Sequence, residues 1–155
     1  MQINEFFQQI EWHIFVPMLV AVVLGGAIGT EREISGKAAG LRTNILICMG
    51  AALFTHLALN LQADAAKMLA GVITGVGFIG AGAVLRDRGG IHGITTAATI
   101  WLVTGIGIAC GMKFYALAIG ITILTLIVLL GFSPLDKKIS KTDKESTPGQ
   151  DIEEN

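Results

Sequence analysis

The chain has 155 residues, of which 52% are apolar and 15% are charged, and its mean hydropathy is +0.66. A soluble domain averages about 25% charged residues, and so short a soluble chain leaves much of its surface in water, so this composition excludes an ordinary soluble enzyme. The net charge of −1 gives no indication of nucleic-acid binding, and two Cys residues are too few for a secreted disulfide framework. The composition therefore predicts a membrane protein with several spans.

Five apolar stretches follow one another along the chain, and each is long enough to cross about 30 Å of hydrocarbon as a helix. The first four contain no charged residue away from their ends. The sequence predicts an all-α integral membrane protein with five transmembrane helices in one membrane domain, residues 14–132. The predicted helices run over residues 14–30, 44–61, 68–85, 94–111 and 114–132.

Lys and Arg residues are unevenly distributed between the two sides of this predicted domain. Only Lys67 and Lys113 fall on one side. Because cytoplasmic loops carry the excess of basic residues, the N-terminus is predicted outside and the C-terminus in the cytoplasm. The nine basic residues on the predicted cytoplasmic side are Arg32, Lys37, Arg42, Arg86, Arg88, Lys137, Lys138, Lys141 and Lys144.

The two ends of the chain differ from the membrane domain. Apolar residues at helical spacing, such as Ile3, Phe6, Phe7 and Ile10, alternate with polar ones. This predicts an amphipathic helix over residues 1–13 that lies at the outer interface, with Trp12 at headgroup depth. The alternative is one long, kinked helix over residues 3–30. Residues 133–155 are rich in Lys, Asp, Glu, Ser and Thr, which predicts a disordered cytoplasmic tail.

Glycines are concentrated in the third predicted helix, and glycine pairs four residues apart occur in three of the helices. Small residues at this spacing let two helices approach closely. Three interpretations remain open, namely close packing within the bundle, a broken helix that lines an ion path, and association of two copies through a glycine face. The pairs are 25/29, 71/75 and 107/111, and the residues assigned to helix packing are Gly71, Gly75, Gly77, Gly80, Gly82 and Trp101.

Charged and hydroxyl residues gather where the predicted helices meet the cytoplasmic side. Glu31 is the acidic residue nearest the hydrocarbon, where an unpaired charge is costly, so we expect Arg42 or Arg86 to pair with it. This polar cluster is interpreted either as a salt-bridge network that fixes helix ends or as an inner gate or ligand site. Its members are Glu31, Arg32, Arg42, Thr43, Arg86 and Thr96.

Three residues inside the predicted spans need separate interpretation. His56 is a candidate functional residue, because ionisable groups within a membrane are costly and usually have a role. The alternative is a hydrogen bond from His56 to one neighbouring helix. Cys48 lies near the inner end of the second helix and Cys110 near the outer end of the fourth. We expect their depths to differ by more than about 15 Å, which excludes a disulfide.

Recognisable catalytic patterns are absent from the sequence. It contains no phosphate-binding loop with G-x-x-x-x-G-K-[ST], no zinc-ligand spacing and no nucleophile elbow. The sequence also lacks acidic residues in the middle of the spans, although Mg²⁺ is usually held through one or two carboxylates. We therefore predict a protein that is not an enzyme and has no cofactor, with Glu31 as a weak candidate metal ligand.

Three long motifs resemble those of the MgtC/SapB family of bacterial inner-membrane proteins. They are GGAIGTEREISGKAAGLRTNIL (25–46), TGVGFIGAGAVLR (74–86) and GITTAATIW (93–101). The resemblance implies a five-span domain in the cytoplasmic membrane and a role under low Mg²⁺, in stress adaptation or in virulence. Thr95 departs from members that have Asn there, and the chain resembles the short form without a soluble C-terminal domain. The residues that match the motifs in place are Glu31, Arg32, Arg42, Thr43, Gly77, Gly80, Gly82, Arg86, Thr96 and Trp101.

Two functions are consistent with this resemblance. The first is a non-enzymatic modulator linked to Mg²⁺ homeostasis or stress, which packs against a partner membrane complex through its glycine-rich helices. The alternative is a small transporter or channel for Mg²⁺ or another ion, with Glu31 and its Arg neighbours at the inner gate. In either case Mg²⁺ is a transported or sensed ion. The expected partners are the lipid bilayer, a membrane protein and a second copy of the chain, with no nucleic acid.

Overall fold

The computed structural model describes the backbone of residues 12–60, 64–87 and 90–145, and the side chains of 15–60, 64–84 and 90–132. It contains five helices that are long and apolar enough to cross a membrane, which confirms the predicted fold class. In chain order the elements are α1 (Trp12–Ile34), α2 (Leu41–Asn60), α3 (Ala65–Gly82), β1 (Leu85–Asp87), β2 (Gly90–His92), α4 (Ile94–Gly111) and α5 (Tyr115–Glu145).

The first and last helices differ from their predicted bounds. Trp12 already belongs to α1, and Pro17 is buried inside that helix. The predicted interfacial helix falls on residues before Trp12, outside the described part of the chain. At the other end, α5 continues to Glu145, whereas the sequence predicts a disordered tail from residue 133. Lys, Leu and Glu favour helix, and an existing helix is extended more easily than a new one is started.

The centre of the bundle is formed by α2 and α4. Helix α2 lies against α1, α3 and α4, while α4 also contacts α1, α3 and α5. Helix α3 is peripheral, because only 6% of its apolar stretch is buried inside the bundle, against 50% for α4. The buried core therefore lies where α1, α2 and α4 meet, and its members include Ile28, Cys48, Ala52, Val103, Ile106 and Cys110.

Glycines of α1 let this helix approach α2 closely. A Cβ atom added at Gly25 would lie 2.7 Å from Cys48 Cβ, and one at Gly29 would lie 2.8 Å from Leu41 Cα. Neither distance leaves room for a side chain. The first of the three glycine pairs therefore packs two helices of the same chain, as small residues do in membrane bundles.

Glycines of α4 do the same on another side of α2. A Cβ atom at Gly107 would lie 2.2 Å from the carbonyl oxygen of Cys48, and one at Gly111 would lie 2.6 Å from that of Ala52. Cys110 therefore lies beside the 48–52 segment and belongs to the same core cluster as Cys48. The predicted difference in depth between the two cysteines is wrong, although both thiols are free.

A short antiparallel hairpin, β1 and β2, joins α3 to α4. The sequence instead predicts that the third helix continues to residue 85. Gly93, which follows β2, has a φ of +89°. A Cβ atom there would lie 2.0 Å from the carbonyl oxygen of Ala83, so the connection from the hairpin to α4 requires glycine.

Candidate functional site

The turn that joins α1 to α2, residues 35–40, supports the predicted polar cluster. The backbone N–H of Lys37 donates to the carbonyl of Arg32 at 3.0 Å, and that of Gly36 donates to the carbonyl of Glu33 at 3.0 Å. Gly36 has a φ of +64°. These are the two bonds and the left-handed glycine of a Schellman motif, which ends a helix and satisfies its last carbonyls. The turn thus fixes the position of the charged end of α1.

Glu31 and Arg32 form an ion pair at this end of α1. Both are buried, with 8% and 3% of their surface exposed. Arg32 Nε donates to Glu31 Oε2, Arg32 Nη2 donates to Glu31 Oε1 at 2.8 Å, and Ser35 Oγ donates to Glu31 Oε1 at 2.8 Å. Two-pronged contacts of this kind are among the stronger ionic hydrogen bonds. The arrangement neutralises both charges where solvent does not reach them.

The described partner of Glu31 is Arg32, and Arg42 forms no ion pair with it among the described residues. Arg42 is exposed, and Arg86 lies in β1 with a side chain outside the described part. Thr43 is half-buried and Thr96 is buried, but no hydrogen bond among the described side chains joins either hydroxyl to the ion pair. The physical reason is local, because the long side chain next to Glu31 in sequence is buried with it and satisfies its carboxylate directly.

Two buried polar atoms beside this turn have no hydrogen-bond partner among the described residues, and they are Arg32 Nη1 and Asn44 Oδ1. The amide nitrogen of Asn44 donates to the carbonyls of Ala39 at 2.9 Å and Gly40 at 2.8 Å. Asn44 therefore holds the end of the turn against the first turn of α2. Asn44 was not among the predicted site residues, although an amide within an apolar stretch is a signal for it.

Glu33 was also missed as a functional side chain. Its Oε2 accepts from the backbone N–H of Leu41 at 2.9 Å, at the start of α2. A carboxylate is favoured there because the first N–H groups of a helix lack partners and carry a partial positive charge. A Cβ atom at Gly40 would lie 1.8 Å from the same oxygen, so Gly40 makes room for this contact. The acidic residue before a helix start was the available signal.

The geometry offers little for a bound metal ion. Within the described ranges, no group of three or more His, Cys, Asp or Glu residues is arranged to hold one. Both carboxylate oxygens of Glu31 already accept hydrogen bonds from Arg32, and one also accepts from Ser35. A cation at Glu31 would therefore have to displace a buried guanidinium. The described cluster is arranged to hold helix ends together.

His56 lies in the last two turns of α2 and is 7% exposed. The side-chain nitrogen of Asn60 donates to the carbonyl of His56 at 2.7 Å and lies 3.3 Å from its Nε2. The expected bond to a neighbouring helix is therefore replaced by a bond within α2. Apart from the Glu31–Arg32 pair and the two cysteines, His56 is the one buried ionisable side chain among the described residues.

Most of the glycines predicted to pack helices face open space. Gly80 is buried, and a Cβ atom there would lie 3.5 Å from the carbonyl oxygen of Ala97 in α4. The other four have no atom of the chain, beyond their own local backbone, within 4 Å of that position, so packing within the bundle is wrong for them. They are Gly71, Gly75, Gly77 and Gly82. Gly71, Gly75 and Gly82 share one side of α3 with Phe78, and this side is the open face of α3, while Gly77 lies on another side of the helix.

Trp101 does not act as a packing anchor within the chain, because 57% of its surface is exposed. It lies in the middle of α4 on the outside of the bundle. An indole has enough apolar surface to be stable against lipid, and burying it in this core would displace the small residues that let α4 approach α2.

An apolar groove of about 620 Å³ separates α2 from α3. Its walls are made of small residues and a few large ones from both helices. Gly50 of α2 also has open space at its Cβ position, so both walls of the groove include residues without a side chain. The residues that define it best are Gly50, Ala51, Phe54, Gly71, Gly75 and Ile79.

Residues 18–138 match the model of the MgtC family. YhiD of Escherichia coli (strain K12), whose description proposes magnesium transport, is 43% identical over 130 residues, which cover 77% of this chain and 60% of YhiD. Protein MgtC of Salmonella typhimurium (strain LT2) is 39% identical over 110 residues, 70% of this chain and 48% of that protein. A protein of Synechocystis is 32% identical over 140 residues, 88% of this chain and 60% of that protein. The chain thus matches 60% or less of the length of these relatives. No solved structure matches it.

Proposed function

The chain belongs to the MgtC family, and from that premise we propose that it serves Mg²⁺ homeostasis or stress adaptation without being an enzyme. It is a multi-pass bacterial membrane protein. In this proposal it lies in the cytoplasmic membrane with the N-terminus outside, and it acts by packing the open face of α3 against a partner membrane protein. The name of the relative YhiD supports the link to magnesium.

The contrast between the two peripheral helices carries this proposal. The exposed surface of α5 consists largely of bulky side chains, such as Ile123, Leu124 and Ile127, which suit lipid. The exposed surface of α3 instead presents glycines, and Phe78 is its most exposed large apolar side chain. Small residues are enriched where helices meet in membranes, because they let backbones approach. A helix therefore suits the open face of α3 better than acyl chains do.

The polar cluster supports the same proposal by having a structural role. An inner gate needs a group that exchanges its partner with the permeating ion. Here the carboxylate of Glu31 is held by Arg32 and Ser35, and Glu33 is used to start α2. The carboxylate of Glu31 is held at the end of α1 and that of Glu33 joins α1 to α2, so both already have partners that a passing ion would have to displace.

Growth under Mg²⁺ limitation tests the proposed use of α3. A strain that lacks the gene would carry the wild-type chain, Gly75→Leu or Gly120→Leu. Both glycines have open space at the Cβ position, one in α3 and one in α5, so in neither variant does the new Cβ atom meet the chain. We expect Gly75→Leu to lose the growth advantage and Gly120→Leu to keep it, at equal amounts of folded protein. Equal growth of both variants contradicts the proposal.

Ion flux separates this proposal from transport. The purified chain would be placed in liposomes that contain a Mg²⁺-sensitive dye, with Glu31→Gln as a second sample. We expect no flux above that of protein-free liposomes. Flux that saturates with Mg²⁺ would overturn the proposal and make the chain a transporter, and its loss in Glu31→Gln that is shown to be folded and inserted would place the gate at the polar cluster.

A further inference from the structure

We propose that His56 and Asn60 form a proton-sensitive latch, which holds the last turn of α2 while His56 is neutral and releases it when His56 binds a proton. The two side chains lie one turn apart on α2, and Asn60 is the last residue of that helix. His56 is 93% buried by the chain, while Asn60 is exposed. This inference concerns α2 and stands apart from the proposed role of α3.

The contacts fix which group of each side chain donates. One terminal atom of the Asn60 amide lies 2.7 Å from the carbonyl oxygen of His56. A carbonyl only accepts hydrogen bonds, so that atom is the NH₂ nitrogen. The same nitrogen lies 3.3 Å from Nε2 of His56, which must then accept. The neutral imidazole is therefore held in the tautomer that carries its proton on Nδ1.

Protonation breaks this arrangement because both ring nitrogens of an imidazolium are donors. The NH₂ group of Asn60 would then face the Nε2–H of His56, donor against donor. Turning the amide so that its oxygen faces Nε2 would put that oxygen against the carbonyl of His56, acceptor against acceptor. Asn60 can keep only one of its two contacts, so the bond that closes the last turn of α2 is weakened.

Among the described residues no carboxylate forms an ion pair with His56, and Asp64 at the start of α3 is exposed and accepts from the N–H of Lys67. Helix α1 carries His13 at its end nearer His56, with a side chain outside the described part, and no titratable residue between Phe15 and Thr30; its Glu and Arg residues lie at its other end. Helix α3 carries Lys67, which is also positive, and α4 carries Cys110. The contacts of His56 with described polar side chains are those with Asn60, and neither is an ion pair. An imidazolium here is uncompensated, which favours opening of the turn toward solvent.

The chain segment after Asn60 leads directly to α3. Helix α3 begins at Ala65 and is capped by Asp64, which accepts from the N–H of Lys67 at 3.1 Å. Helix α3 is also the least buried of the five. A change at the end of α2 is therefore transmitted to α3, the helix with the least buried surface in the bundle. The latch is on the side that the charge pattern predicts to be outside, where external acid reaches it.

Hydrogen exchange of the full chain in lipid nanodiscs tests the latch. Exchange would be measured at about pH 7.5 and about pH 5.5, on either side of the range in which histidine titrates. The samples are the wild type, His56→Gln, which stays neutral, and Asn60→Ala, which lacks the latch. His92→Gln is the control for a histidine outside α2. Comparing variants at each pH cancels the intrinsic effect of pH on exchange.

We expect the amides of residues 57–60 to be protected roughly three- to tenfold more in the wild type than in Asn60→Ala at the higher pH. At the lower pH the wild type and His92→Gln should fall to the level of Asn60→Ala, while His56→Gln keeps its protection. An unchanged wild type at the lower pH overturns the proposal. A loss of protection in His56→Gln equal to that in the wild type also overturns it, since another group would then be responsible.

Discussion

Replacing Gly107 by Ala tests whether glycine contacts hold α2 and α4 together. The new Cβ would lie 2.2 Å from the carbonyl oxygen of Cys48 and 2.8 Å from Ala51 Cβ, whereas ordinary contact begins at 3.4 Å. The two helices must therefore move apart locally by about 1.2 Å. Overpacking of this kind costs about 1–3 kcal/mol, and a backbone oxygen cannot rotate away. Ala is more favourable than Gly within a helix by up to about 1 kcal/mol, which offsets part of this cost. We therefore expect the free energy of unfolding to fall by about 1–2 kcal/mol.

Gly105 is the matched control on the same helix, because no atom lies within 4 Å of its Cβ position. Gly105→Ala should leave the free energy of unfolding unchanged or raise it by up to about 1 kcal/mol. Unfolding would be followed by tryptophan fluorescence while sodium dodecyl sulfate is titrated into micelles of a mild detergent. If Gly107→Ala unfolds at the same detergent fraction as Gly105→Ala or later, the glycine contact does not limit how α2 and α4 pack.

Three further substitutions test the connections between helices in the same unfolding assay. Gly93→Ala should destabilise the chain by at least about 1–2 kcal/mol, since it is left-handed and its Cβ would meet the carbonyl of Ala83; a neutral result would contradict that turn. Glu33→Gln should cost about 0.3–1 kcal/mol, because a charge at the start of α2 is lost, and the loss should shrink in high salt. Glu31→Gln should lower the free energy of unfolding by about 3–5 kcal/mol, since Arg32 stays buried without its counter-charge. Stability equal to that of the wild type would show that the ion pair does not stabilise the fold.

The five helices follow from the sequence because membrane helices depend on local properties. Length, apolar composition and the absence of internal charge are visible in each stretch separately, and α4 has the predicted bounds. The ends are less visible. The Schellman turn at Gly36 and the hairpin before Gly93 depend on backbone contacts, which an apolar pattern does not report. The predicted starts and ends therefore shifted by a few residues.

Arg32 was not predicted as the partner of Glu31, because a sequence shows which charges share a membrane face but not which side chains are buried together. Arg42 was expected across the turn, but it is exposed. Arg32 follows Glu31 directly and is 3% exposed. A buried guanidinium needs an acceptor more than an exposed one does, so burial decides the pairing. The predicted cluster survives at these two residues, and its other members stay predictions.

The cysteines show a second limit of sequence reasoning. Their predicted separation assumed that α2 and α4 begin at the same depth. The contact of Gly107 with Cys48 places the late part of α4 beside the early part of α2, so the helices are staggered along their axes. Stagger is set by which small residues fit which surface, a property of both helices together. The same reason explains why the 107/111 pair packs and the 71/75 pair does not.

The location of the small residues argues for activity at the surface of the bundle. Between the polar cluster and His56, the interior where α1, α2 and α4 meet is filled by side chains that are fully buried, including Cys48, Ala52 and Val103. The glycines at this level bring α1 and α4 close to the backbone of α2, so a path for a hydrated ion would require these close helix contacts to separate. The open face of α3 needs no such rearrangement. A partner helix can approach it directly, which is why substitutions there should change function while leaving the bundle stable.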